Sequence, residues 1–167
     1  MKVINIFGGP GTGKSVTRAR LFAELKMKHL NCEEVIEFAK DLVYDEAFKV
    51  LENQEWIFAN QHNRMFRFKD KVDYIVTDAP LFNSIIYSGK GENKKDFHNY
   101  VMSVFNRYDN LNIYLERETV YQQTGRYQDE QGAKRVDDEV LRLFDYFNVK
   151  FVKVGLKNAV PTIISLL

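Results

Sequence analysis

The sequence predicts an α/β fold of three layers, a parallel sheet with helices on both faces, in one domain covering residues 1–167. Three observations carry that prediction. The chain opens on VINIF, a Val/Ile-rich run of the kind buried on both faces of a sheet. A glycine-rich stretch, GGPGTGKS, follows at once and leads into a helical pattern. Short apolar runs then alternate with longer amphipathic ones, as strands joined by helical crossovers require.

In order, residues 2–7 form the first strand, and 14–30 the first helix, with Val16, Leu21, Phe22, Leu25 and Met27 on one side. A short strand falls at 33–36, and helical stretches at 38–51 and 54–70. The clearest further strand is 73–77, closed by Asp78-Ala79-Pro80. Helices at 81–87 and 96–107 flank a polar loop at 88–95 and lead to a strand at 112–115. A polar stretch, 116–131, precedes a helix at 132–147 and a last strand at 150–154. No internal repeat or low-complexity segment interrupts the series.

Charge is nearly balanced, with 24 Lys and Arg against 23 Asp and Glu, so no overall field favours bulk nucleic-acid binding. The single Cys32 forms no internal disulfide, and no apolar segment of signal-peptide type precedes the first strand. No apolar run reaches the ~20 residues that span a bilayer. These features predict a soluble protein of a reducing, cytoplasmic compartment with no membrane partner.

The spacing of Gly8 and Gly13-Lys14-Ser15 fits GxxxxGK[ST], placed between a buried strand and a helix as its mechanism demands. Glycines let successive N–H groups turn towards a phosphate, which the positive end of the next helix also attracts. Gly8, Gly9, Gly11, Thr12, Gly13, Lys14, Ser15 and Val16 are therefore candidate ligands of a nucleoside triphosphate. Lys14 reaches the β- and γ-phosphates in this reading, and the Ser15 hydroxyl holds Mg²⁺. The alternative is a glycine-rich strand-to-helix turn without a ligand.

Three further positions bear on where the γ-phosphoryl goes. Asp78 ends a strand, where open α/β sheets bind ligands, and suits metal ligation or proton acceptance; it also suits a helix cap. Glu37 ends the preceding strand with Lys40 one turn later, which fits either an acceptor hydroxyl or an ordinary surface pair. Arg117 and Arg126 bracket the polar stretch, too long for a tight turn, which reads as an arginine-bearing lid or as a solvated loop.

The ordered series GGPGTGKS, EFAKD, QHNRMFRFKDKVDYIVTDAPL and GRYQDEQGAKRVDDEV resembles phage-encoded P-loop kinases or ATPases of the nicotinamide riboside kinase-like and nucleotide kinase-like superfamily. The resemblance spans nearly the whole chain. It implies an ATP-dependent kinase fold with Lys14 and Ser15 on phosphate and Mg²⁺, Asp78 near the metal, Arg126 in the lid, and Glu37 and Lys40 near the acceptor. Acceptors in such proteins include nucleosides, nucleotides, nicotinamide riboside and modified bases within DNA. A kinase acting on a 5-hydroxymethyl pyrimidine in phage DNA is thus one alternative, and a P-loop ATPase switch or nucleotide-binding module another.

Gln54, Trp56, Gln61, His62, Arg64 and Arg67 share one helical stretch, and Gln61 and Arg64 are candidate acceptor contacts. Trp56 reads as core in preference to a base-stacking surface, and His62 as structural or solvated, with no second His or Cys at metal-ligand spacing. Asp137 and Asp138 read as the start of the helix after the polar stretch, favouring its positive end, with a metal role as the alternative.

Overall fold

A computed structural model describes residues 1–89, 94–118 and 129–167. Arg126, Gly125 and most of the 116–131 stretch lie outside the described residues.

Five strands form one parallel sheet in the order β2-β3-β1-β4-β5. They are β1 (Lys2–Phe7), β2 (Cys32–Val35), β3 (Tyr74–Thr77), β4 (Asp109–Leu115) and β5 (Val152–Val154). The helices are α1 (Lys14–Met27), α2 (Ala39–Tyr44), α3 (Phe48–Leu51), α4 (Gln54–Phe66), α5 (Asn83–Ser88), α6 (Lys95–Phe105), α7 (Glu130–Tyr146) and α8 (Ala159–Ser165). The fold is the α/β class that the alternating pattern predicts.

Strand β1 sits centrally, pairing Val3 with Ile75 on one side and Ile6 with Ile113 on the other. Its alternation divides the core. Val3 and Phe7 face a cluster with Phe58, Phe82, Val101 and Phe144, while Ile4 and Ile6 face Leu21, Leu25, Ala159 and Ile163. Phe7 meets Phe144 and Phe82 edge-on at centroid distances of 4.7 and 5.9 Å, the geometry favoured by the ring quadrupoles. One polar group interrupts this apolar strand. The buried Asn5 side-chain NH2 donates to Asn110 Oδ1 at 2.8 Å and Asn112 Oδ1 at 3.0 Å, contacts that depend on this alignment of β1 with β4.

Several boundaries differ from expectation for identifiable reasons. The stretch 38–51 is two helices, because Glu46 takes a left-handed conformation (φ 55°) between them. The inner face of α1 is Thr17, Leu21 and Leu25 at four-residue spacing, whereas Val16 and Met27 are 54% and 67% exposed. Helix α7 begins at Glu130, where the Asp129 side chain accepts from Gly132 N–H at 2.6 Å. Asp137 and Asp138 therefore stand in mid-helix, not at its start. Helix α8 has no counterpart in the expected series, which ends at residue 154; its Pro161 fits a helix because it lies in the first turn.

Candidate active site

All five strands run in one direction, so Phe7, Val35, Thr77 and Leu115 end on the same edge of the sheet. The segments leaving those ends build the site. From Gly8 to Gly13 the backbone is neither strand nor helix, with positive φ at Gly8, Gly11 and Gly13. Gly13 (φ 95°) turns the chain into α1, where a side chain would be strained. The loop is thus a bend that delivers the unpaired N–H groups of the first turn of α1 to the sheet edge.

A cleft of about 590 Å³ opens there, its wall including Gly11, Gly13, Lys14, Ser15, Val16 and Asp78. Glu37, Lys40, Gln61 and Tyr87 line the same space. Gly8, Gly9 and Thr12 lie buried behind the wall. Thr12 braces the loop, its hydroxyl donating to Gly9 O at 3.0 Å. The Lys14 ammonium donates to Gly8 O at 2.7 Å and Gly9 O at 2.9 Å. Burial pushes its pKa down from the ordinary lysine value, against the opposing pull of Glu37, Asp78 and Asp137.

Asp78 is buried at the end of β3 and forms no cap for α5, whose N-cap is Phe82 without a side-chain bond. Its Oδ2 pairs with Arg18 Nε at 3.2 Å, and Arg18 also grips Glu34. The other oxygen, Oδ1, is buried without a hydrogen-bond partner. An orphaned buried carboxylate oxygen in the same cleft as a serine hydroxyl is what a hard cation fits. Mg²⁺ uses one or two carboxylates and completes its shell with water and substrate phosphate. Among the described residues no group of three or more His, Cys, Asp or Glu is placed to hold a metal.

Glu37 lines the cleft, and burial raises its pKa above the ordinary carboxylate value, with Lys14 pulling down and Asp78 pushing up. Gln61 holds the Glu37 backbone in place: its Oε1 accepts from Phe38 N–H at 2.9 Å and its Nε2 donates to Ile36 O at 3.4 Å. Lys40 lines the same space. Arg64 does not reach it; its guanidinium pairs with Asp41 at 2.9 Å and lies 4.8 Å over the Phe38 ring.

Arg117 likewise falls outside the lining, because its three nitrogens serve the protein. They donate to Asp137 at 2.7 Å, Pro10 O at 2.9 Å and Ala133 O at 3.4 Å. Trp56 is 41% exposed and packs against Phe38 at 5.0 Å, so it is not core.

Sequence reasoning missed Arg18 and Tyr87. Arg18 was legible in principle, one turn after Lys14 on the same helix. Tyr87 lines the cleft while 39% exposed, so its phenol faces the open space. Nothing in the local pattern of α5 marks it.

A strand, a glycine-rich Lys-Ser loop and a helix at the edge of a parallel sheet, with an acid at the neighbouring strand end, define a P-loop nucleotide-binding fold. The chain belongs to the AAA domain family, whose match covers residues 3–159. No curated protein matches it in sequence. Among solved structures it is similar to deoxyadenosine kinase from M. mycoides with bound dATP, at TM-score 0.58 and 17% identity over 99% of this chain and 98% of that one. The same kinase with the products dCMP and a flexible dCDP aligns at TM-score 0.59 and 17% identity, over 99% and 98% of the two chains. NadR protein in complex with NR aligns at TM-score 0.61 and 18% identity over 91% of this chain, which spans 44% of that one. At such identities the likeness is one of fold. Among the described residues no helix is long and apolar enough to cross a membrane.

Proposed function

We propose that the protein is a kinase that transfers the γ-phosphoryl of ATP to a hydroxyl of a nucleoside, nucleotide or related nucleic-acid building block. The observation that carries this reading is one cleft lined by Lys14 and Ser15 of the loop together with Asp78 and Glu37. The similarity in fold to a deoxyadenosine kinase and to NadR supports the same reading.

Lys14 and the N–H groups at the start of α1 hold and orient the donor phosphates. Ser15 and Asp78 would hold Mg²⁺, which when bound supplies positive charge to the transferring group. The Arg18 charge lies against Oδ2 of Asp78, leaving Oδ1 for that role. Glu37 accepts the proton of the acceptor hydroxyl, whose oxygen bonds to the γ-phosphorus as the bond to the β–γ bridging oxygen breaks and ADP leaves. Its raised pKa makes Glu37 a better proton acceptor than an exposed carboxylate. Tyr87 lines the same cleft and offers its phenol O–H to a bound substrate.

The reading is tested by incubating the protein with γ-labelled ATP, Mg²⁺ and a panel of nucleosides, nucleotides, NR and hydroxymethylpyrimidine DNA. Label on one acceptor, lost in Lys14→Met, is the expected result. Release of labelled phosphate alone supports an ATPase and overturns the kinase assignment.

A further inference from the structure

We propose that Asp137 is a positioning residue for the donor's terminal phosphates, acting through Gly9 and Arg117; this rests on the reading of the loop as a triphosphate site. Asp137 stands in the middle of α7, yet its carboxylate closes onto the loop between β1 and α1. Its Oδ1 accepts from Gly9 N–H at 2.5 Å, and its Oδ2 accepts from Arg117 Nε at 2.7 Å. Arg117 Nη1 completes the circuit by donating to Pro10 O at 2.9 Å. One carboxylate and one guanidinium thus grip both ends of the Gly9-Pro10 unit from outside the cleft.

The charge on this pair matters because it is nearly dry: the side chains of Arg117 and Asp137 are only 15% and 13% exposed. A buried ion pair adds little stability over an apolar pair of equal volume, but it fixes geometry strictly. What it holds here is the backbone from the Gly9 N–H to the Pro10 carbonyl. The Gly9 N–H is held by Asp137, while its carbonyl receives both the Lys14 ammonium at 2.9 Å and the Thr12 hydroxyl at 3.0 Å. The direction of that carbonyl sets where the Lys14 charge rests before a phosphate arrives.

Gly9 itself shows how close the grip is. A Cβ there would lie 2.6 Å from Asp137 Oδ1 and 2.9 Å from Arg117 Nη2, so a larger residue would open the clamp. With the clamp lost, residues 9 and 10 are free to swing and Lys14 loses its aim.

The test compares fluorescent ATP and fluorescent AMP binding to the wild type, Asp137→Ala, Asp137→Asn, Arg117→Ala and the double Ala variant, with circular dichroism as the folding control. Asp137→Ala is expected to weaken ATP binding by about 10-fold, the scale of one charge-assisted hydrogen bond, and to leave AMP, which lacks the terminal phosphates, within about twofold. Asp137→Asn keeps an oxygen for Gly9 N–H and recovers part of the loss. The double variant is expected to bind ATP no more weakly than the worse single one, as partners in one clamp do.

Equal ATP affinity in a folded Asp137→Ala protein overturns the inference, and so does an equal loss for ATP and AMP. If Asp137→Ala fails to fold, Asp137→Asn decides by the same comparison. A wild type that binds no triphosphate removes the underlying reading as well, whereas tight wild-type binding with unaffected variants removes only the role of Asp137.

Discussion

Replacing Gly13 by Ala perturbs the turn on which the site depends. Gly13 has φ 95°, and a methyl carbon added there would stand 2.7 Å from Leu156 Cδ1 and 3.1 Å from Cδ2. Holding an L-residue in that left-handed region costs about 1–2 kcal/mol. Overpacking adds up to ~1 kcal/mol, because the half-buried Leu156 side chain swings aside at modest cost. A stiffer unfolded chain returns about 0.5 kcal/mol. The net loss is therefore about 2 kcal/mol, which lowers the thermal midpoint of a domain this long by about 4–8 °C. Thermal and urea unfolding measure it, with Leu156→Ala in the same background recovering only the steric share. A Gly13→Ala protein with an unchanged midpoint and unchanged ATP affinity would refute the strained-turn argument.

Other outcomes follow from the same geometry. Arg18→Leu leaves buried Asp78 facing Glu34 without its cation, and is expected to lower stability by about 3 kcal/mol in urea unfolding; a loss under about 1 kcal/mol contradicts the strut. Glu37→Gln is expected to reduce kcat by about 10²–10⁴-fold. In the wild type the rate rises with pH through the raised Glu37 pKa, placing an acid limb above the ordinary carboxylate range; an unchanged limb in Glu37→Gln counts against Glu37 as base. His62 has its pKa lowered by burial and then by Arg107, so the folded state favours the neutral ring that meets Tyr108 at 2.9 Å. Its contribution is present above the unfolded value of about 6.5 and is lost as pH falls through the lower folded value. Urea midpoints from pH 8 to 5 should therefore drop less in His62→Gln than in the wild type.

What was legible in the sequence was whatever depends on local chemistry. The run from Lys2 to Phe7, the loop at Gly8 to Ser15 and Asp78 at a strand end each carry their reason in neighbouring residues, and each stands where that reason places it. The exposed Val16 and Met27 show the limit: apolar character marks a helix, but the stripe that packs is set by what lies beneath it, here Thr17, Leu21 and Leu25. Arg117 and Arg64 show a second limit. An arginine near a phosphate loop suggests a ligand contact, yet Arg117 meets Asp137 from twenty positions away and Arg64 meets Asp41. Such pairings are properties of the assembled sheet edge. The split at Glu46 and the helix after Asn158 were hidden for the opposite reason, since local propensity there points away from the state that packing selects.

The most direct test is the affinity of the purified protein for ATP, titrated with and without Mg²⁺ beside Lys14→Met. The Lys14 ammonium bonds to two backbone carbonyls of its own loop, Gly8 O and Gly9 O, and Met keeps the length of the stem, so that variant keeps its fold. Binding strengthened by Mg²⁺ in the wild type, and lost in the folded variant, is the expected result. Undetectable binding by the wild type, or equal binding by both, would contradict a loop built to hold a triphosphate.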